Sequence, residues 1–333
     1  MAAELQALTC TKTWKLVDLP VGKIPTGCKW VYKIKHRSDG SIERNKARLV
    51  AKRYTQVISK IDLVKQNLDS LFKIKYLGPL KFFLGLEIVR SQRGISLCQW
   101  KYALELLSNT SYLTAKPTST PMDSHHKFNS HSGSPLPDSI VYRRLVAKLL
   151  YLTTTRPDIT FSANHLCQFL SKPTTVHLQA HHRILRYIKS APGKGLFFPT
   201  SSCTLKAFSD SDWAGCVDTR RSISSFSVYL GNSLISWKSK KQQTVSRSSS
   251  EAEYRALAAV TCEVQQLKYM LTELSIPHPQ PIIIYCDNQL AIHIAANPTF
   301  HERTKHIELD CHIVREKVNS GFIHLLPISS STN

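Results

Sequence analysis

Ile282-Ile-Ile-Tyr-Cys286, followed at once by Asp287-Asn288, is the stretch on which the fold turns. Five consecutive apolar residues with a polar stop fit a strand buried on both faces, the type found in sheets covered by helices. Upstream, Ser248-Ser-Ser-Glu251 has the form of a capping box, and Leu257, Val260, Val264, Leu267, Leu271 and Leu274 then recur at steps of three and four, which predicts a long helix. Pro277 to Pro281 ends that helix. Further upstream, Ser225 to Leu230 and Leu234 to Trp237 read as strands joined at the hairpin signal Gly231-Asn232, and Leu205-Lys-Ala-Phe-Ser-Asp210 reads as a strand ending in an acid. Downstream, Gln289 to Ala296 and Glu302 to Asn319 read as helices and Phe322 to Leu326 as a last strand. The order is three meandering strands, helix, strand, two helices and strand. It predicts an α/β layer with helices over a mixed sheet.

Three acids fall at positions this order brings together. Asp210 and Asp287 end strands, and Glu253 lies one turn before Leu257 on the helix face turned toward the sheet. Converging carboxylates repel unless cations neutralise them, and oxygen donors without sulfur or imidazole suit Mg²⁺ or Mn²⁺. A pair of such ions activates water and stabilises the leaving oxygen in phosphodiester cleavage. The competing reading is three exposed strand-end and helix-cap acids. Lys238, Lys240, Lys241 and Arg247 stand close by in sequence as phosphate-facing charge.

Charge points the same way. The 333 residues carry 44 Lys and Arg against 23 Asp and Glu, a formal charge of +21 that asks for a polyanionic partner. Hydrophobic residues at 42% exclude a disordered chain. No apolar run approaches the roughly 20 residues of a membrane helix, and the start lacks a signal-peptide layout, so a soluble intracellular chain without a membrane partner is expected, its compartment left open. Nine scattered cysteines form no zinc spacing and read as reduced, mostly buried thiols. The doublets His125/His126 and His181/His182 read as surface or loop residues.

Toward the start, twelve Lys or Arg face four acids within residues 1–56. Cys28-Lys-Trp-Val-Tyr-Lys-Ile-Lys35 alternates apolar and basic residues, Asp39-Gly40 offers a tight turn, and Ala47 to Lys52 runs on as a second strand. This predicts a β-hairpin whose basic face carries Lys33, Lys35, Arg48 and Lys52, either tracking phosphates or simply solvated. Residues 57–75 have helical spacing, Ser119 to Pro137 has linker composition, and residues 138–192 read as a small helical subdomain with no legible chemistry.

The motifs resemble the Pol polyproteins of copia-type LTR retrotransposons. Ala207-Phe-Ser-Asp-Ser-Asp-Trp-Ala-Gly215, the run from Ser236 to Ala256, Cys286-Asp-Asn288 and Arg303-Thr-Lys-His-Ile-Glu308 are similar to that family's ribonuclease H domain. Gly27 to Lys35, Ala47 to Lys52, Leu77 to Glu87, Tyr102 to Leu107, Ser119-Thr-Pro-Met122 and Thr155-Arg-Pro-Asp158 resemble its reverse transcriptase and connection regions. The resemblance implies a ribonuclease H-like mixed sheet flanked by helices over 201–328. Before it would stand a fingers remnant over 1–56, a post-palm, thumb-like remnant over 57–123, and a linker with helical connection over 124–200.

Its implied activities are RNA-directed DNA synthesis and Mg²⁺- or Mn²⁺-dependent hydrolysis of RNA in RNA-DNA hybrids, with no small-molecule cofactor. Three of its ribonuclease H acids fall on Asp210, Glu253 and Asp287, and Arg48 falls where the family holds nucleotide phosphates. No Tyr-x-Asp-Asp occurs in this sequence, and Val57 to Asp62 already resembles the region beyond that turn. The expectation is an internally deleted, C-terminally truncated family member without polymerase activity and short of a fourth hydrolytic acid, for which Glu308 or Asp310 would be weak substitutes. Ribonuclease H activity is then residual at most; the alternatives are a non-catalytic nucleic-acid-binding remnant and a pseudogene product without a role. Trp213 and Trp237 are expected to be core or sheet-packing aromatics rather than base-stacking platforms.

Overall fold

A computed structural model describes residues 28–36, 42–51, 78–123, 128–200, 203–276, 278–296 and 307–328. The chain falls into two compact units, the first containing the initial hairpin and the second running from Leu77 through the C-terminal sheet. In the first, β1 (Cys28–His36) and β2 (Ile42–Ala51) pair antiparallel. Their register sets Lys33 opposite Lys46 and Lys35 opposite Arg44, so basic positions of the two strands coincide there, while Arg48 stands opposite Val31. The helix expected over 57–75 lies outside the described residues.

The second unit begins with β3 (Phe82–Phe83), β4 (Leu86–Ser91) and β5 (Gly94–Cys98), followed by the helix α1 (Trp100–Asn109). Three helices follow: α2 (Ser139–Leu152), α3 (Thr160–Cys167) and α4 (Thr175–Ser190). Strand β6 (Leu196–Pro199) returns to pair with β5 and completes a sheet of order β3-β4-β5-β6. The expected apolar stripe of α2 is present, with Tyr142, Val146 and Leu149 buried against Leu106 and Leu107 of α1 and Ile184, Leu185 and Ile188 of α4. Asp138 caps α2 by accepting from the Ile140 amide at 2.7 Å. The expectation for the second histidine doublet fails: His181 is fully buried on α4, and burial, followed by the neighbouring His182, lowers its pKa to about 4. Its helical position is set by the Leu178, Leu185 and Ile188 stripe, which carries residue 181 inward with it.

The last third has the anticipated order. Strands β7 (Leu205–Asp212), β8 (Ile223–Leu230) and β9 (Ser233–Lys241) form the meander, and α5 (Ser249–Glu273) follows. Then come β10 (Ile282–Cys286), α6 (Gln289–Ala296), α7 (Glu308–Asn319) and β11 (Ile323–Pro327). The sheet order is β11-β10-β7-β8-β9; β10 runs parallel to both β7 and β11, and the meander is antiparallel. This is the ribonuclease H-like mixed sheet.

One face is sealed by α5, whose Tyr254, Leu257, Val260 and Val264 pack on Leu205, Ala207, Val228, Ile282 and Ile284 together with α6 and α7. Each fully buried aliphatic side chain there contributes about 1.5–3 kcal/mol. The other face differs from the reading of β10 as buried on both sides. Ile282 and Ile284 are buried, but Ile283 and Tyr285 are only half-buried. There Phe208 stacks on Tyr285 at 5.0 Å and meets Tyr229 edge-on at 5.8 Å, so three rings cover the sheet where the opposite face has helices.

Candidate metal-dependent active site

Strand alternation places the first acid. Leu205, Ala207, Ser209 and Ser211 turn under α5 and are buried, so Asp210 and Asp212 project from the opposite face and are exposed. Asp287 follows the last residue of β10, which pairs with Ser209, and is therefore a strand neighbour of Asp210. Asn288 accepts from the Ala291 amide at 2.9 Å, starting α6 immediately and holding Asp287 at the sheet edge.

Glu253 comes from the first turn of α5. Ser248 Oγ accepts from the Glu251 amide at 3.2 Å, one half of the expected capping box. The other half is replaced, because Glu251 accepts from the Arg247 amide at 2.8 Å and pairs with Arg255. The helix thus begins where Glu253, only 5% exposed, reaches β7 and accepts from the Ser211 amide through Oε1 at 3.0 Å. Its other oxygen, Oε2, is buried without a partner.

Glu253, Cys286 and Asp287 offer ligand atoms all within 4.8 Å of one another. Burial, and then the charges of Asp210 and Asp287, push the Glu253 pKa up to about 8, against the pull of the Ser211 amide. Asp210 is raised by burial, then by Asp287, and to a smaller extent by Asp212. Burial first, then these acids, lift the Cys286 thiol to about 12, so at neutral pH it stays protonated and is the weaker ligand beside the carboxylates. An orphaned buried carboxylate oxygen beside two like charges fits a hard divalent cation, which would restore the ionised form of all three.

Sequence reading missed the residue that holds this geometry. Gln242 is buried; its Nε2 donates to Ser224 Oγ and the Ala252 carbonyl, both at 2.9 Å, and to Ser211 Oγ at 3.4 Å. Its Oε1 accepts from Ser246 Oγ at 2.8 Å. One amide therefore joins β7, β8, the loop before α5 and the residue adjoining Glu253. No periodicity distinguishes Gln242 from Gln243 in the sequence. Burial raises the Asp310 pKa, and the charge of Arg255 offsets this only in part.

The comparisons bear on this geometry. The family model described as "Reverse transcriptase (RNA-dependent DNA polymerase)" matches residues 57–124. The retrovirus-related Pol polyprotein from transposon RE2 of Arabidopsis thaliana is 45% identical over 272 residues, 80% of this chain and 19% of that polyprotein. An uncharacterized mitochondrial protein of the same plant is 45% identical over 200 residues, covering 60% of this chain and 82% of its own. The chain belongs to the copia-type retrotransposon Pol family. It spans about a fifth of the length of the RE2 polyprotein it matches and is a reverse transcriptase/ribonuclease H-like fragment within the family. The foamy viral protease-reverse transcriptase solved with double-stranded DNA aligns with TM-score 0.46 at 11% identity, over 83% of this chain and 44% of that one.

Within this Pol region the basic positions divide. Lys33 and Lys35 lie on β1 and Arg48 on β2, while Lys52 lies outside the described residues. Lys240 pairs with Ser224, in the row of Ser211 beneath α5, whereas Lys241 pairs with Ile223, in the row of Asp212 on the face of Asp210. Lys238 lies 5.9 Å from the centre of the Phe226 ring, and Arg247 is exposed. Neither tryptophan lies in the apolar core; Trp237 packs on the sheet as a residue of β9, whereas Trp213 does neither. Trp213 is 49% exposed with Nε1 donating to the Ser246 carbonyl at 3.1 Å, and Trp237, half-buried, donates to Thr160 Oγ1 of α3 at 3.1 Å. Each indole N–H needs an acceptor that an apolar core does not offer.

Proposed function

We propose that Asp210, Glu253 and Asp287 form a Mg²⁺- or Mn²⁺-dependent site that hydrolyses the RNA strand of RNA-DNA hybrids at a residual rate. The observation that carries this reading is the buried, unpartnered Oε2 of Glu253 beside Asp287. Exposed Asp210 and Asp287 are the groups a phosphodiester reaches from solvent, and Glu253, anchored through the Ser211 amide, completes the donor set from below. Divalent ions held there would supply activation of water and stabilisation of the leaving oxygen. Family membership and the +21 charge support a nucleic acid as partner. In this reading residues 201–328 are the hydrolytic domain, 124–200 a linker and helical connection, 57–123 a thumb-like remnant and 1–56 a fingers remnant. No Tyr-x-Asp-Asp is present, so DNA synthesis is not part of the proposal.

The test is cleavage of a 5′-labelled RNA-DNA hybrid in Mg²⁺ and in Mn²⁺, beside Asp210→Asn. Cleavage that falls at least about 100-fold in the variant, a loss of roughly 2.7 kcal/mol of transition-state stabilisation, supports the three-acid site. A hybrid that is bound but left intact overturns it and leaves a binding protein.

A further inference from the structure

Helix α3 packs against the edge strand β9, and between them lies a cavity of about 260 Å³. Its polar lining comes from Asn164, His165 and Gln168 of α3 and from Ser239, Lys240 and Lys241 of β9, with no carboxylate among the described lining residues. Two features of its polar lining stand out. Both ring nitrogens of His165 are buried without a hydrogen-bond partner. Lys241 Nζ has a thiol, Cys216 Sγ at 3.5 Å, as neighbour, and sulfur is a weak acceptor for an ammonium. Buried polar atoms without partners cost free energy, which applies to the His165 imidazole; the ammonium of Lys241 stands beside it, and Asn164, Gln168 and Ser239 add polar groups to the same lining, while Lys240 is exposed at the rim.

We propose that this cavity is a subsite for a phosphate group, occupied by a backbone phosphate of the nucleic acid that lies across the open sheet face. A tetrahedral oxyanion has enough acceptor positions for donors arriving from two sides, and charge-assisted bonds to Lys241 and His165 are the strong kind. Position supports the choice of ligand. Ser239 stands opposite Ser225, and Ser225 opposite Asp210, so the cavity lies two strands away from the acids, about 10 Å, or about three base steps of a duplex. The groups facing His165 agree: burial, Lys241 and His177 disfavour its cationic form, Asp212 favours it, and a bound oxyanion would favour it further.

The choice of a nucleic-acid phosphate rests on the hydrolytic reading; the existence of the subsite does not. The test is NMR of the full chain with histidines selectively labelled, without divalent metal, titrated first with inorganic phosphate and then with a 12-base-pair RNA-DNA hybrid. The expected result is a saturable shift of the His165 ring signals, a His165 pKa about one unit higher at saturation, at least about tenfold weaker phosphate binding in Lys241→Gln, and retention in Lys241→Arg. Matching thermal melts show that the variants are folded. A His165 signal unmoved by phosphate, or moved equally in Lys241→Gln, overturns the subsite. A response to phosphate with none to the hybrid overturns the nucleic-acid assignment. Asp210→Asn leaves the phosphate titration unchanged, so loss of cleavage and loss of this subsite are separate results.

Discussion

The amide of Ser211 donates to Oε1 of Glu253 at 3.0 Å, joining the strand that carries Asp210 to the first turn of the helix that carries the second acid. Through this bond a local register on β7 fixes the depth at which a carboxylate from 42 residues further along the chain meets the sheet. The other oxygen of Glu253 is buried without a hydrogen-bond partner. The site is held together on one side and open on the other.

Removing one of the like charges stabilises the metal-free protein. Asp210 is a source of the raised pKa of Glu253, so Asp210→Asn at pH 7.5 relieves repulsion in the carboxylate cluster. A gain of about 1 kcal/mol raises Tm by roughly 2–4 °C for a body of this size. Differential scanning calorimetry in EDTA should show the rise. A fall in Tm would mean that Asp210 holds structural contacts outweighing the repulsion.

Metal binding depends on pH through Glu253. With its pKa near 8, the carboxyl is largely protonated at pH 7 and must release its proton to coordinate. Mn²⁺ affinity therefore strengthens as pH rises from 6 to 8, by up to about tenfold per unit for one coupled proton. Isothermal titration calorimetry in two buffers of different ionisation enthalpy reads the proton count directly. A pH-independent affinity would place the metal away from Glu253.

Gln242→Ala removes the amide that joins Ser224, Ser246, Ser211 and the Ala252 carbonyl. Buried hydroxyls lose their partners, at a cost of about 1–3 kcal/mol. Because the start of α5 loosens, metal affinity falls as well, by about 10- to 100-fold, the usual cost of losing outer support for a ligand. Gln243→Ala, at an exposed neighbouring position, is the control. Equal effects of the two substitutions would remove Gln242 from its role.

The helical subdomain loses stability in mild acid. His181 has a folded pKa of about 4 against about 6.5 unfolded, so the unfolded chain binds the extra proton as pH falls through that window. Stability is full above pH 6.5, declines toward pH 4 and levels off below, a total on the order of 3 kcal/mol. Denaturant melts of wild type and His181→Leu at pH 7.5 and 4.5 separate the effect. The variant should show a shallower pH slope, and an unchanged slope would assign the acid sensitivity to other groups.

Asp158 guards a buried charge. Arg156, 1% exposed, pairs with Asp158 at 2.9 Å, and Tyr187 and Lys194 bind the same carboxylate. Opposing burial, Arg156 leads in holding the Asp158 pKa at about 2. Its folded pKa is depressed, so its stabilisation is present above about pH 4 and lost as pH falls toward 2. Asp158→Ala leaves Arg156 buried without a counter-ion, its Nη1 bond to the Ala191 carbonyl remaining, at a cost of about 3–5 kcal/mol measured by urea melts at pH 7. A loss under about 1 kcal/mol would mean that the Ala191 carbonyl and solvent suffice for the Arg156 charge.

Much of this was legible in the sequence because it depends on short-range pattern. Alternation along Leu205 to Asp210, the stripe from Leu257 to Leu271, the Gly231-Asn232 turn and the apolar run ending at Asp287 each report a local period, and together they specified the C-terminal sheet and the positions of its three acids. The acids were readable because a strand end and a first helical turn are themselves local features. What tertiary structure alone decided involves residues with no period of their own. Only the cross-strand register shows that Gln242, and not Gln243, enters the junction of three elements, that Lys240 and Lys241 belong to different faces, and that α3 stands beside β9 to form a cavity. The burial of His181 likewise comes from α2 and α4 closing on each other. Hydrogen-bond satisfaction and desolvation are properties of neighbours brought together from distant parts of the chain, so local pattern does not encode them.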